Sequence, residues 1–87
     1  MRRIYKYMLQ YSQVIRLSLK SPIFLRVDLQ GGLPTLWVEV ATDHPVSYGN
    51  NYSIFIEPTG AEVPDGAAHI STFFDGPLVF HAYARKD

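Results

Sequence analysis

Ile23-Phe24-Leu25-Arg26-Val27-Asp28-Leu29-Gln30, Gly31-Gly32, Leu33-Pro34-Thr35-Leu36-Trp37-Val38-Glu39-Val40 is the stretch whose reading decides the fold. Two alternating runs around a glycine pair read as a β-hairpin. A two-residue hairpin loop needs positive φ at its centre, which glycine adopts without steric cost. That loop length sets a register in which Ile23 faces Val40, Leu25 faces Val38 and Val27 faces Leu36, three apolar pairs on one side. The other side carries Phe24 with Glu39, Arg26 with Trp37 and Asp28 with Thr35. A loop of odd length would pair apolar with polar residues throughout, because a slip of one residue turns every side chain to the opposite face.

Outward from the hairpin, the chain has 87 residues, no cysteine and a formal net charge of zero. This length predicts one domain over residues 1–87, and a core that removes little more than roughly 60% of the unfolded chain's surface from water, so subunit association would add to its stability. The absence of cysteine excludes disulfides, thiolate metal sites and thiol nucleophiles, and fits a cytoplasmic setting. Met1-Arg2-Arg3-Ile4 leads into alternating residues rather than the apolar run of a secretory signal, and no stretch reaches the ~18 apolar residues of a membrane span, so no membrane partner is expected.

The balanced charge hides an asymmetry. Arg2, Arg3, Lys6, Arg16, Lys20 and Arg26 all precede the first acid, Asp28, and no Lys or Arg stands between Asp28 and Asp75. In the plain reading, basic strands lie beside acidic ones and the charges pair across a sheet. In the sharper reading, a basic surface receives an anion or meets the acidic face of another subunit. A balanced net charge disfavours duplex nucleic acid as a partner.

Residues 4–9 and 14–19 alternate as strands, with Gln10-Tyr11-Ser12-Gln13 between them short enough for a hairpin, and Ser21-Pro22 ends the second. Residues 43–51 read as a loop, 52–57 as a fifth strand, and 58–68 as a long aperiodic connection. The last two strands, 70–74 and 78–83, flank Asp75-Gly76-Pro77. A three-residue loop there pairs Phe74 with Leu78, Thr72 with Phe80 and Ile70 with Ala82, and sets Ser71 opposite His81. About seven short strands and no helical period predict an all-β chain, a small antiparallel sandwich or partly open barrel.

The chemistry-bearing residues form no catalytic signature. His44, His69 and His81 are widely separated and have no metal-ligand spacing, and the Ser71–His81 pair lacks an orienting acid, so neither an enzyme, a metal nor a cofactor is expected. Scattered acids such as Asp43 and Asp28 read as solvated. A more pointed set is aromatic and cationic: Tyr5 and Tyr7 share one side of their strand, Arg16 points away from Ile15 and Leu17, Arg26 faces Trp37 opposite the hairpin's apolar pairs, and His81, Tyr83 and Arg85 share one side of the last strand. Converging, they would stack on a base and pair with phosphate, which suits a nucleotide-like small molecule. Unconverged, they cover the outside of a sandwich or make a contact between copies in a homo-oligomer.

Ile4-Tyr5-Lys6-Tyr7, Gln13-Val14-Ile15, Leu36-Trp37, Thr59-Gly60 and Gly76-Pro77-Leu78-Val79-Phe80-His81 together resemble a family of small phage and prophage proteins catalogued as a domain of unknown function. Where that family carries Gly-Thr-Gly-His, this chain has Pro58-Thr59-Gly60-Ala61. The resemblance implies a phage-encoded accessory protein in the bacterial cytoplasm. Two functions then compete: capture of a small anionic ligand such as a nucleotide signal of host defence, an anti-defence role, and docking of a β-domain on a phage or host protein.

Overall fold

The computed structural model describes residues 1–42 and 49–87. Asp43, His44 and most of the expected 43–51 loop lie outside the described residues. Seven strands run in chain order: β1 (Arg2–Met8), β2 (Ile15–Leu19), β3 (Ile23–Gln30), β4 (Leu33–Ala41), β5 (Asn50–Pro58), β6 (Ala68–Asp75) and β7 (Leu78–Lys86). They form two antiparallel sheets, β1-β4-β3 and β2-β5-β7-β6, so the chain is all-β and the expected small sandwich is what it builds. Val27, Leu36 and Val38 from one sheet and Ile54, Phe73 and Ala82 from the other fill the space between.

The β3–β4 hairpin turns at Gly31 and Gly32, with φ of 58° and 80°, and holds the expected register from Gln30↔Leu33 to Arg26↔Trp37. Beyond that point the reading needs correction. A bulge at Leu25 shifts the pairs to Phe24↔Val38 and Ile23↔Glu39, so Ile23 and Leu25 leave the core side and Phe24 takes it. The larger apolar residue wins the interior: the Phe24 ring packs on the core and meets Tyr52 edge-on at 5.6 Å.

The expected hairpin between the first two strands is also corrected, because β1 and β2 belong to different sheets. β1 pairs with β4, Tyr5 opposite Val38 and Tyr7 opposite Leu36, while β2 pairs with β5, Ile15 opposite Ile54. The connection therefore crosses from sheet to sheet and is anchored on the way. Leu9 is buried and its N–H donates to the Pro34 carbonyl at 2.8 Å. Tyr11 lays its ring 4.5 Å from Phe80 and donates its hydroxyl to Asp75 Oδ2 at 2.7 Å.

Burial, and after it the accepting carboxylate of Asp75, push the Tyr11 hydroxyl up to about 12. The folded chain thus holds the phenol proton more tightly than the unfolded one, so the stability this contact adds is full below about pH 10 and is lost as pH rises through about 12. Tyr11→Phe should cost about 1 kcal/mol at neutral pH, less than the ~1.5–3 kcal/mol of a buried bond to a charged group because the pair is partly exposed. In urea titrations at a series of pH values, the gap between the two proteins should close above pH 10, and a gap that does not change with pH would refute the contact.

At the β6–β7 turn the loop has two residues, not three. Asp75 faces Leu78, Phe73 faces Phe80, Thr72 faces His81 and Ser71 faces Ala82. Gly76 at φ 58° followed by Pro77, whose ring fixes a negative φ, is the pattern of a type II′ turn, which suits strand twist better than a longer loop. Past Ser71 a second bulge, at Ile70, shifts the pairing to His69↔Tyr83.

The two bulges lie on the two strands that meet between the sheets. β3 and β6 pack against each other on one side of the sandwich, where Ser71 Oγ accepts the Val27 N–H and donates to the Val27 carbonyl, each at 2.8 Å. One side chain thereby stands in for a strand at the edge of β3 and closes that side.

Candidate functional site

The opposite side, between edge strands β1 and β2, holds a cleft of about 330 Å³ lined by Tyr5, Tyr7, Ser18, Leu19, Lys20, Val40, Ala41 and Thr42. Its floor is apolar because Val40 and Leu19 point into the core. Its wall is aromatic because β1 presents Tyr5 and Tyr7 two residues apart, on the side of β4 that carries Val38 and Leu36. Arg3, opposite Val40, shares that side. The Ala41 N–H donates to the Lys20 carbonyl at 3.0 Å, which ties the end of β2 to the end of β4 and sets one end of the cleft. Neither bordering strand carries an acid, whereas β1 carries Arg2, Arg3 and Lys6 and β2 carries Arg16. Arg3 shares the cleft's side of β1 and Lys20 lines the cleft, whereas Lys6 and Arg16 lie on the outer faces of their sheets.

Among the described residues the expected pairing of charges across a sheet is seen between Arg2 of β1 and Glu39 of β4. Arg26 instead pairs along its own strand with Asp28. The Leu29 N–H and then Arg26 hold the Asp28 carboxyl below its usual range.

The eight aromatic and cationic residues read from the sequence do not meet in one place. Tyr5 and Tyr7 line the cleft. Arg26 and Trp37 are directly opposed on the outer face of the three-stranded sheet. Arg16, His81, Tyr83 and Arg85 share the outer face of the four-stranded sheet, in the rows Arg16–Ser53–Arg85, Phe55–Tyr83–His69 and Glu57–His81–Thr72. On that face the Arg85 guanidinium lies 5.0 Å from the centre of the Phe55 ring. The Ser53 hydroxyl faces both oxygens of the Asp87 carboxylate at 2.8 Å.

His81 is held between two hydroxyls, with Nε2 2.8 Å from Thr59 Oγ1 and Nδ1 2.9 Å from Thr72 Oγ1, and Thr72 Oγ1 reaches on to His69 Nε2 at 3.0 Å. Both His81 ring nitrogens are taken up inside the protein, so this chain of bonds fixes the ring rather than presenting it to a ligand. The small cleft beside it, about 190 Å³, is lined by Glu57, Thr59, Val63, His81 and Tyr83 among others. Its volume falls below the ~300 Å³ at which small-molecule sites begin, and the Glu57 carboxylate disfavours an anion there. Two other clefts are larger, about 370 Å³ each, but one is bordered by Glu62 and Asp65 and the other, along Pro58, Thr59 and Leu78, has no charged lining. The combination of aromatic rings and a cation singles out the cleft between β1 and β2.

Of the cleft's lining, sequence reasoning assigned Tyr5 and Tyr7 to a site and missed Ser18, Leu19, Lys20, Val40, Ala41 and Thr42. Lys20 carried a signal as the last cation before the Ser21-Pro22 break, while Thr42 carried none. Among the described residues no group of three or more His, Cys, Asp or Glu is placed to hold a metal ion, and no helix is long and apolar enough to cross a membrane.

Fold and cleft define a small two-sheet β-sandwich, closed along β3–β6 and open along β1–β2. The chain belongs to the family described as a domain of unknown function, DUF7352, whose model matches residues 1–87. No curated protein and no solved structure matches it.

Proposed function

We propose that this protein is a non-enzymatic binding protein that takes up a small anionic, nucleotide-like ligand in the cleft between β1 and β2. The observation that carries the reading is the pairing of an aromatic wall, Tyr5 and Tyr7, with Arg3 on the same side of β1 and Lys20 in the lining, around about 330 Å³ of space. Tyrosine rings supply stacking at little entropic cost, and cations at the mouth attract and hold phosphate. The resemblance to phage and prophage proteins gives such uptake a purpose, removal of a nucleotide signal of host defence from the bacterial cytoplasm.

Calorimetric titration with adenosine monophosphate, adenosine and inorganic phosphate, each separately, tests this reading. The nucleotide should bind more tightly than either half, because base and phosphate meet different residues. Tyr5→Ala should weaken it by about tenfold, within the ~1–3 kcal/mol that one stacked base is worth. Arg3→Glu should weaken the nucleotide and phosphate but not adenosine. Absence of heat with all three probes, or affinities that neither substitution moves, would overturn the proposal.

A different observation favours docking as a second reading. The outer face of the three-stranded sheet exposes Ile4, Met8, Ile23 and Leu33 around Trp37.

A further inference from the structure

Residues directly opposed across a sheet share a face, so the outer face of β1-β4-β3 reads in three rows: Ile4–Glu39–Ile23, Lys6–Trp37–Arg26 and Met8–Thr35–Asp28. Ile4 is 60% exposed and Met8 67% exposed, and Trp37 lies between Lys6 and Arg26 at the centre. An apolar surface arranged around a tryptophan has the composition of a contact core.

The charges on this face indicate what covers it. Glu39 is paired with Arg2, Asp28 is paired with Arg26, and Lys6 Nζ donates to Gln30 Oε1 at 2.8 Å. With Arg2, Lys6 and Arg26 beside the two carboxylates the face carries both signs, so a partner of a single sign would set like charge against one of them. A surface carrying the same mixture of signs would not, provided the geometry sets cation over anion.

We propose that this face binds a second copy of the chain, about a two-fold axis that crosses β4 between Thr35 and Trp37 at right angles to the strands. The axis reverses strand direction and lays the Lys6–Trp37–Arg26 row of each copy over the Met8–Thr35–Asp28 row of the other. Arg26 of one copy then stands over Asp28 of the second and Lys6 over Met8, while Trp37 meets the side chains that already cover Thr35, and the symmetry makes each of these contacts twice. The Lys6 stem covers the methionine, and each Arg26 is shared between two carboxylates. Placing the axis through the Trp37 row instead would set Arg26 against Arg26 and Lys6 against Lys6, and placing it between that row and the Ile4 row would leave Arg26 over Ile23, so the chosen position is the one that sets Arg26 over a carboxylate. The inference does not depend on what the cleft binds, because the cleft lies on the opposite face of β1.

The test is the mass of the full chain in solution, by size exclusion with light scattering over a dilution series, together with the emission of Trp37, the only tryptophan. The wild-type protein should have twice the chain's mass, and its emission should move to longer wavelength on dilution as Trp37 is uncovered. Arg26→Glu alone, or Asp28→Arg alone, should weaken association by roughly 100-fold or more through like charges brought together twice. The two substitutions combined should restore the dimer. All these positions are on the surface, and circular dichroism melts of the variants report folding separately from association. A wild-type chain that stays monomeric over the series, a dimer unmoved by Arg26→Glu, or a double variant that stays monomeric would each overturn the proposal, the first leaving the face to a different protein.

Discussion

Ser71→Ala should lower the stability of this protein by about 2–4 kcal/mol, read from urea denaturation at neutral pH. The substitution removes one oxygen and little volume, so the loss of packing is small. The loss of bonding is not. Val27 is fully buried, and on the side of β3 that has no neighbouring strand its N–H and its carbonyl both bond to Ser71 Oγ at 2.8 Å. Alanine leaves one buried donor and one buried acceptor without partners, at about 1–3 kcal/mol for each. The sum is a large part of the roughly 4–13 kcal/mol expected for 87 residues. A loss below about 1 kcal/mol would mean that water takes over both bonds and that the β3–β6 side is not closed by this side chain.

The same side marks the limit of what the sequence shows about the fold. The alternation of each run, the Gly31-Gly32 turn and the pairing of Val27 with Leu36 depend on neighbours along the chain, and they are legible. The bulges at Leu25 and Ile70 are not, because each serves a contact with a strand in the other sheet. The assignment of β1 and β2 to different sheets is hidden for the same reason. Residues 10–13 are short enough for a hairpin, and the alternative depends on two distant anchors. Leu36, Val38 and Val40 need a strand on each side to complete their face, and Tyr11 finds Phe80 and Asp75 far along the chain.

The candidate site was legible by residue type more than by position. Of the cations clustered before Asp28, Arg3 and Lys20 come to the cleft, and Tyr5 and Tyr7 line it as their alternation allows. Arg16, His81, Tyr83 and Arg85 do share a face, but it belongs to the other sheet, and Arg26 with Trp37 belongs to a third surface. Alternation reports which side of its own strand a residue takes. It does not report which sheet the strand joins, so residues on matching sides end on opposite surfaces of a sandwich.

Phe73→Ala and Phe74→Ala form the sharpest test of that difference. In the three-residue loop suggested by Asp75-Gly76-Pro77, Phe74 would face the core and Phe73 would face solvent. In the two-residue loop of the structure the order is reversed: Phe73 is 2% exposed and Phe74 is 67% exposed. Phe73 packs among the core residues of both sheets and lies 5.8 Å from Phe80 and 6.3 Å from Tyr11, ring centre to ring centre. Truncating it leaves a cavity under the crossover that the surrounding strands cannot fill, at about 3–5 kcal/mol. For a chain of this length that corresponds to a fall in melting temperature of roughly 15 °C or more. Truncating Phe74 should change stability by about 0.5 kcal/mol or less, because its ring covers little. Two adjacent phenylalanines thus differ by several kcal/mol through the length of one loop. Equal losses, or a larger loss at Phe74, would move the turn by one residue and carry Ser71 away from Val27 with it.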